Sequence, residues 1–423
     1  MNSSKELHDA LLNRFFRYVK IDTQSREDVS DQFPSTEKQK DLAMLLVDEL
    51  KDLGLVHPEM DQYGYVTATL PGRIPSGLTG KVPVVGLLAH MDTSPEVSGT
   101  DVKPVLHNNY QGGDLELPGD PEQTIRVAAN PALEKQIGHD IITSDGTTLL
   151  GADNKAGIAE IMTMLEYIQK NREIDHPTLR VGFTPDEEVG QGTKYFDIQK
   201  FSADVAYTVD GEEAGDVENE TFNAASAVFA IRGINMHPGY AKGKMVNAVR
   251  ILADLIRMLE NEPAPETTSG REGYLHPYVV EGGVEKAMLK MLIRDFEMEG
   301  IEKKIERLKS IQHELKEKHG RAQIHLEITH QYRNMRFKLD ERPEVVEYAL
   351  EAVRRAGLQP RRHIIRGGTD GARLSYQGLP TPNLFTGGHN FHSKREWISV
   401  QDMEKAVKTL IHLVQIWVDK SQE

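Results

Sequence analysis

The chain of 423 residues contains no cysteine. This absence excludes a disulfide framework and any metal site built from thiolates. Positive charge is also scarce, because 50 Lys and Arg residues stand against 65 Asp and Glu residues and give a net charge of −15. Binding to nucleic acid or to an anionic membrane needs a basic surface, so we predict neither partner.

Long apolar runs are missing as well. No stretch approaches the ~20 apolar residues of a membrane-spanning helix. The first segment, "MNSSKELHDALLNRFFRYVK", has the pattern of an amphipathic helix and lacks the apolar core of a signal peptide. We therefore predict a cytoplasmic protein. Its 39% hydrophobic and 27% charged residues are ordinary for a globular chain that is long enough for two domains.

Several short apolar runs end in polar residues. They are "VPVVGLLAHMD", "TLRVGFTPDEE", "ADVAYTVDGEE" and "LPTPNLFTGGHNFH". Such runs are typical of strands that are buried on both faces, and helical patterns such as "AGIAEIMTMLEYIQK" lie between them. The alternation predicts an α/β fold with a mixed, largely parallel sheet flanked by helices. Ligands in such sheets bind beyond the carboxyl ends of the strands, where the polar residues stand.

The middle of the chain has a different order of elements. Residues 222–332 read as strand, helix, strand, helix and strand, with a loop at "ENEPAPETTSGREGYLHP". We predict an inserted α+β, ferredoxin-like lid domain, with a four-stranded sheet and two helices on one face. Residues 1–221 and 333–423 would then form the first and second parts of a catalytic domain.

The polar residues at the strand ends are candidate metal ligands. His90 and Asp92 are two apart on an extended segment, so one can bind a metal while the other holds the second ring nitrogen. Asp153 precedes a helix, where N-capping is the alternative role. The neighbours Glu187 and Glu188 could equally lie in a solvated turn.

Taken together, two imidazoles and three carboxylates suit two zinc-class ions that share one carboxylate. This set is completed by Asp210 and His392, which also follow apolar runs. Their spacing does not select zinc over cobalt or manganese.

Eight motifs then carry a family resemblance. They are "AHMDT", "GADNKAG", "TPDEEVG", "TVDG", "NMHPGYAKG", "IRDF", "RGGTDGA" and "NLFTGGHNFHS", in this order over nearly the whole chain. Together they resemble the M20 family of dinuclear zinc peptidases. The resemblance implies an aminopeptidase that releases the N-terminal residue from tripeptides, with two Zn²⁺ per chain and a short peptide as its partner. It also allows a homodimer.

The resemblance assigns the metal ligands residue by residue. His90 and Asp210 would hold one zinc ion, Glu188 and His392 the other, and Asp153 would bridge them. In the family the peptide bond after the bridging aspartate is cis, which we expect here too. The family usually has a second aspartate at the next position, and this chain departs from it with Asn154.

The resemblance also assigns the catalytic and substrate-binding roles. Glu187 would be the general base, and Asp92 would orient the imidazole that binds metal. We expect the inserted domain to close over the metals and to bring a histidine to the substrate. Arginine would suit the terminal carboxylate of a tripeptide, although pairing with a surface carboxylate is its ordinary role. The candidates for substrate binding are His237, Arg294, Asn334 and Arg366.

Other functions remain open at this point. Another M20-type activity, as a dipeptidase, a carboxypeptidase or an N-acyl amino acid hydrolase, would share the chemistry and differ in the pocket. A catalytically inactive peptide-binding protein should lack the base or some ligands, yet all are present here. A metal-dependent amidase acting on a sugar or a nucleobase is a further alternative. The glycine-rich segments "RGGTDG" and "TGGHN" match neither a P-loop nor a dinucleotide fingerprint.

Overall fold

A computed structural model describes residues 2–29 and 31–422 of the chain. Met1, Ser30 and Glu423 lie outside the described residues, and with them the outermost positions of the predicted first helix and domains. The helices are α1 (Asn2–Tyr18), α2 (Gln39–Asp52), α3 (Pro131–Glu134), α4 (Ala152–Lys170), α5 (Ile198–Phe201), α6 (Ala248–Met258), α7 (Met298–Lys318), α8 (Arg336–Leu339), α9 (Pro343–Arg355), α10 (Asp370–Tyr376) and α11 (Val400–Lys420).

Within the described residues, the strands form three sheets. They are β1 (Val56–Met60), β2 (Val66–Leu70), β3 (Val85–His90), β4 (Val105–His107), β5 (Ile141–Thr143), β6 (Leu179–Thr184), β7 (Val205–Gly211), β8 (Asp216–Thr221), β9 (Asn223–Arg232), β10 (Tyr274–Gly282), β11 (Lys286–Asp295), β12 (Gln323–Tyr332), β13 (Arg361–Ile365), β14 (Asn383–Phe385), β15 (Gly388–His389) and β16 (Trp397–Ser399). Among the described residues, no helix combines the length and the apolarity needed to cross a membrane.

The described chain divides into two compact units. One contains residues 2–219, 335–363 and 369–422, and the other contains residues 220–334 and 364–368. The short segment 364–368 therefore belongs with the second unit, although the sequence places it beyond the inserted domain. The roles of the units, as catalytic domain and lid, stay predictions.

The large sheet has the strand order β1-β2-β6-β3-β7-β14-β8-β13. Its middle strands β6, β3, β7 and β14 run parallel, while β1, β2 and β8 pair antiparallel with their neighbours. All six residues of β3 are buried, as expected of a strand covered on both faces. Helix α4 packs against β3 and β7, and α10 packs against β7. The predicted mixed sheet with flanking helices is confirmed.

One glycine sets how closely helix α4 approaches this sheet. A Cβ atom at Gly157 would lie 1.9 Å from the backbone oxygen of Val209, which belongs to β7. Only glycine allows this approach, because no real side chain tolerates such a distance. The contact brings the beginning of α4 to the end of β7.

A small antiparallel sheet, in the order β15-β16-β5-β4, lies within the first unit. Its strands are short, and buried Trp397 of β16 packs in an apolar cluster with Leu133 and Ile141. The connection from β15 to β16 covers residues 390–396 and carries His392. The sheet therefore anchors both ends of that connection.

The second unit has the order β9, α6, β10, β11, α7 and β12, with an antiparallel sheet ordered β10-β11-β9-β12. Alternate residues of β9, from Ala225 to Ile231, form one core with both helices, as the two-residue period of a strand requires. The four-stranded sheet with two helices is thus present. The loop prediction is wrong from Tyr274 onward, because β10 begins there. Strand β10 lies at the sheet edge, which tolerates Pro277.

Candidate active site

Three parallel strands deliver carboxylates and an imidazole to one edge of the large sheet. Strand β3 ends at His90, β6 runs into the turn with Glu187 and Glu188, and Asp210 stands one residue before the end of β7. Because the carboxyl ends of parallel strands meet at the same edge, these side chains converge. Asp153 joins them from the start of α4, and His392 joins them from the connection after β15.

The distances sort five side chains into two groups that share Asp153. His90 Nε2 lies 2.8 Å from Asp153 Oδ1 and 3.2 Å from Asp210 Oδ1. His392 Nε2 lies 2.8 Å from Glu188 Oε2 and 3.2 Å from Asp153 Oδ2. Each oxygen of Asp153 therefore faces a different imidazole. The same division into two groups is the one that the family resemblance implies.

The donor set fits divalent metal ions. Metal-binding atoms of His90, Asp153 and Glu188 all lie within 4.8 Å of one another. Glu188 Oε1 is buried without a hydrogen-bond partner among the described residues. Imidazole nitrogens and carboxylate oxygens are zinc ligands in proteins, and an acceptor left without a donor is what a cation would satisfy.

The electrostatics of the cluster point the same way. Burial, with the neighbouring Asp153, raises the pKa of Glu188 to about 8. Burial also raises the pKa of Asp210 to about 6. Burial lowers the pKa of His392, but its hydrogen bonds to Asp153 and Glu188 outweigh this and raise it to about 11. Carboxylates thus outnumber imidazoles in a buried space, and a bound cation would reverse the repulsion between them.

Asp92 connects β3 to the turn that carries the two glutamates. Its Oδ1 accepts a hydrogen bond from the Glu187 N–H at 3.0 Å, and its Oδ2 accepts one from the Glu188 N–H at 3.1 Å. His90 Nδ1 lies 3.0 Å from the backbone oxygen of Asp92 and 3.4 Å from its carboxylate. Asp92 therefore holds the imidazole mainly through its backbone, and its carboxylate fixes the glutamate pair.

Glu187 is half-buried beside this cluster. Burial raises its pKa well above the usual range, and the charges of Asp370 and Asp210 add to the rise, while His90 opposes it. A carboxyl group with a raised pKa is a better proton acceptor than an ordinary glutamate. Asp370, which sequence reasoning did not single out, accepts a hydrogen bond from Thr184 Oγ1 at 3.0 Å.

The turn after β6 is also held from its other side. Asp186 has a φ of 58°, in the left-handed region, and its carboxylate accepts hydrogen bonds from Gln39 Nε2 at 2.7 Å and from the Ser35 N–H at 2.6 Å. Sequence reasoning missed this residue, although it stands in the same motif as the glutamates. Its partners lie about 150 positions away in the chain, so local patterns carry no signal for them.

Asp153 and Asn154 interrupt the helical backbone at the start of α4. The peptide bond between them is cis, as the resemblance implies. Asn154 is buried, and its Oδ1 accepts a hydrogen bond from the Gly157 N–H at 3.2 Å. The residue that departs from the family pattern thus caps the regular part of the helix.

The four candidates for substrate binding lie in the second unit, where His237 is exposed and accepts a hydrogen bond from the Gly239 N–H at 3.2 Å. Asn334 is fully buried, and its amide nitrogen donates to Glu220 Oε1 at 3.0 Å and to the Phe296 oxygen at 3.1 Å. Its side chain therefore supports the unit itself in this conformation.

The two arginines also donate to groups within that unit. Arg294 donates to the backbone oxygens of Ala225 and Ile293 at 3.1 and 3.0 Å. Arg366 donates to two backbone oxygens and one hydroxyl of the segment 268–272, at 2.7 to 3.0 Å. A role in binding substrate stays a prediction for all four candidates.

Comparison with known proteins defines the family of this chain. A family model described as Peptidase family M20/M25/M40 matches residues 145–416. The chain belongs to this family, and the predicted resemblance to M20 peptidases is confirmed. More particularly, the chain is 48% identical over 410 residues to Peptidase T of Caldanaerobacter subterraneus, covering 97% of this chain and 99% of the relative.

Two solved structures share the fold. The aminopeptidase PepT of Bacillus cereus has a TM-score of 0.75 and 24% identity, and the comparison covers 97% of this chain and 99% of that one. A tripeptidase of Staphylococcus aureus has the same TM-score with 21% identity, again over 97% and 99% of the two chains. The architecture described above is therefore that of solved peptidases.

Proposed function

We propose that the chain is a dizinc aminopeptidase that releases the N-terminal residue from tripeptides. The observation that carries this proposal is the pair of imidazole–carboxylate groups that share Asp153, with Glu187 beside them. The high identity to Peptidase T over nearly the whole chain supports the same activity. The tripeptidase with the same fold supports short peptides as the substrate class.

In this proposal, His90 and Asp210 would hold one zinc ion, His392 and Glu188 would hold the other, and Asp153 would be shared between them. When bound, the ions lower the pKa of a water molecule and polarise the scissile carbonyl. Cobalt or manganese can take similar ligands, so the identity of the ions as zinc rests on the family resemblance.

The protein's own residues then move the proton. Glu187 takes it from the attacking water at its carboxylate and returns it to the leaving amine, a role worth about 10²–10⁴-fold in rate. Asp92 keeps this carboxylate in place because it holds the backbone N–H groups of both glutamates. The two adjacent glutamates thus have separate roles: Glu188 would bind metal, and Glu187 would transfer the proton. His237, Arg294, Asn334 and Arg366 stay candidates for binding the substrate.

A substrate panel tests the proposal. Zinc-loaded protein should release the N-terminal residue from free tripeptides and should not cleave the same tripeptides when their amino group is acetylated. Preference for dipeptides or for N-acyl amino acids would instead identify another M20-type activity. Protein that binds peptides and two metal ions without cleaving any of them would be an inactive peptide-binding protein.

A further inference from the structure

The buried carboxylate of Glu396 accepts hydrogen bonds from the turn that carries Asp153. Its Oε2 accepts hydrogen bonds from the N–H groups of Leu150 and Gly151, both at 2.8 Å. Its Oε1 accepts one from the Asp153 N–H at 3.0 Å. The side chain is only 1% exposed, so water cannot replace these bonds.

These bonds satisfy N–H groups that precede the regular part of α4. The backbone is not helical at Asp153 and Asn154, and Asn154 caps the regular helix that follows. Glu396 therefore accepts from the turn before that helix, and it does so from a distant part of the chain. Asp153 is not needed as a cap, and both of its oxygens face the imidazoles.

The position of Glu396 in the sequence adds a second link. It stands four residues after His392, in the same connection between β15 and β16. The segment that carries His392 thus also holds the backbone of Asp153. Two candidate ligands from separate parts of the chain are thereby fixed with respect to each other.

We propose that Glu396 is a positioning residue that sets the Asp153 carboxylate against His392, so that the affinity for both metal ions depends on it. This inference rests on the proposed function, which makes Asp153 the shared ligand. Loss of a partner that orients a metal ligand typically costs 10–100-fold in metal affinity.

The test is Glu396→Gln, which keeps the shape of the side chain. An amide has only one acceptor oxygen, so its NH₂ group must face backbone N–H groups on one side. Turned either way, the variant loses a hydrogen bond and gains a repulsive contact at this turn. Zinc affinity of the metal-free protein, measured by competition with a chelator, should fall by about 10–100-fold for both ions. The absorption spectrum of the cobalt-loaded variant should also differ from that of the wild type.

Two further variants act as controls. Glu160→Gln removes another fully buried carboxyl group from α4 itself, whose oxygens have no hydrogen-bond partner among the described residues. We expect its zinc affinity to stay within about twofold of the wild type, since no ligand backbone is released. Glu396→Asp retains the charge and both acceptor oxygens at a shorter reach. It should recover part of the lost affinity, and it takes the place of the glutamine variant if that one fails to fold.

Two results would overturn the proposal. One is a Glu396→Gln variant that melts at a lower temperature yet binds both ions as tightly as the wild type, since Glu396 would then support only the fold. The other is an equal loss of affinity in Glu160→Gln, which would assign the effect to the removal of any buried carboxyl group. Wild-type protein that binds two ions but cleaves no peptide would contradict the proposed function alone, because affinity is measured here without any substrate.

Discussion

Adding one methyl group at Gly157 should disturb the candidate site more than the fold. In Gly157→Ala, the new Cβ atom would lie 1.9 Å from the Val209 oxygen and 2.6 Å from Asn154 Oδ1. An ordinary contact is ~3.5 Å, so α4 and β7 must separate by about 1.5 Å. The Val209 oxygen is backbone within the large sheet, and we therefore expect the helix to be the element that moves.

The consequence for the site follows from the sequence positions. Asp153 stands four residues before the substituted position, and Asp210 directly follows Val209. The separation therefore moves Asp153 away from Asp210 and from His90. In the wild type, Asp153 Oδ1 lies 2.8 Å from His90 Nε2. Overpacking of this kind costs about 1–3 kcal/mol of stability. A misplacement of about 1 Å in a catalytic site can cost about 10²-fold in rate.

The assay compares three quantities in the wild type and in Gly157→Ala: the melting temperature, the zinc bound per chain and kcat/KM on a tripeptide. Gly283→Ala is the matched control, because a Cβ atom there meets nothing within 4 Å. We expect the control to match the wild type and Gly157→Ala to lose zinc and activity. A Gly157→Ala protein with unchanged melting temperature and two bound ions would refute the close approach of α4 to β7.

Three more substitutions test other parts of the account. Burial, with Asp402 nearby, raises the pKa of Glu160 well above its usual range, so the folded protein keeps a proton that the unfolded chain loses above pH ~4.3. The free energy of unfolding of the wild type should therefore fall as the pH rises above that value. Measured by denaturant unfolding, the free energy of unfolding of Glu160→Gln should gain about 1.4 kcal/mol per pH unit relative to the wild type. Parallel pH curves for the two proteins would contradict this. His237→Ala should keep two zinc ions and lower kcat more than it changes KM, whereas unchanged kcat/KM would remove His237 from the mechanism. Asp92→Asn can accept from only one of the two glutamate N–H groups, so zinc affinity should fall by about 10–100-fold; wild-type affinity in a chelator competition would show that those bonds do not position Glu188.

Much of the fold follows from periodicity in the sequence. Apolar runs predict β3, β6 and β7 because both faces of these strands are covered, and polar residues at their ends predict the edge at which the candidate ligands meet. Strand β10 was not predicted, because it is an edge strand whose Tyr278 and Val280 are exposed, so it lacks the alternation of buried and polar positions. A proline within it adds to the resemblance to a loop.

The supporting residues of the site could not be predicted in the same way. Glu396 precedes a buried strand and acts on residues about 245 positions earlier in the chain, so no local pattern reveals its partners. The same holds for Asp186 and Ser35. The sequence predicts that Asp92 orients the imidazole, and its carboxylate lies 3.4 Å from that ring. It also accepts from two backbone N–H groups that only the folded chain brings near. The candidate metal ligands can thus be predicted from the sequence, whereas the residues that orient them depend on long-range contacts.

The most direct test of the account is the metal content of Glu187→Gln and Glu188→Gln, measured per chain beside the wild type after loading with zinc. Glu187 is proposed to transfer the proton, and its neighbour Glu188 is proposed to bind metal. We expect two zinc ions in the wild type, two in Glu187→Gln despite lost turnover of tripeptides, and fewer than two in Glu188→Gln. Two ions in both variants, or a loss of zinc in Glu187→Gln alone, would contradict it.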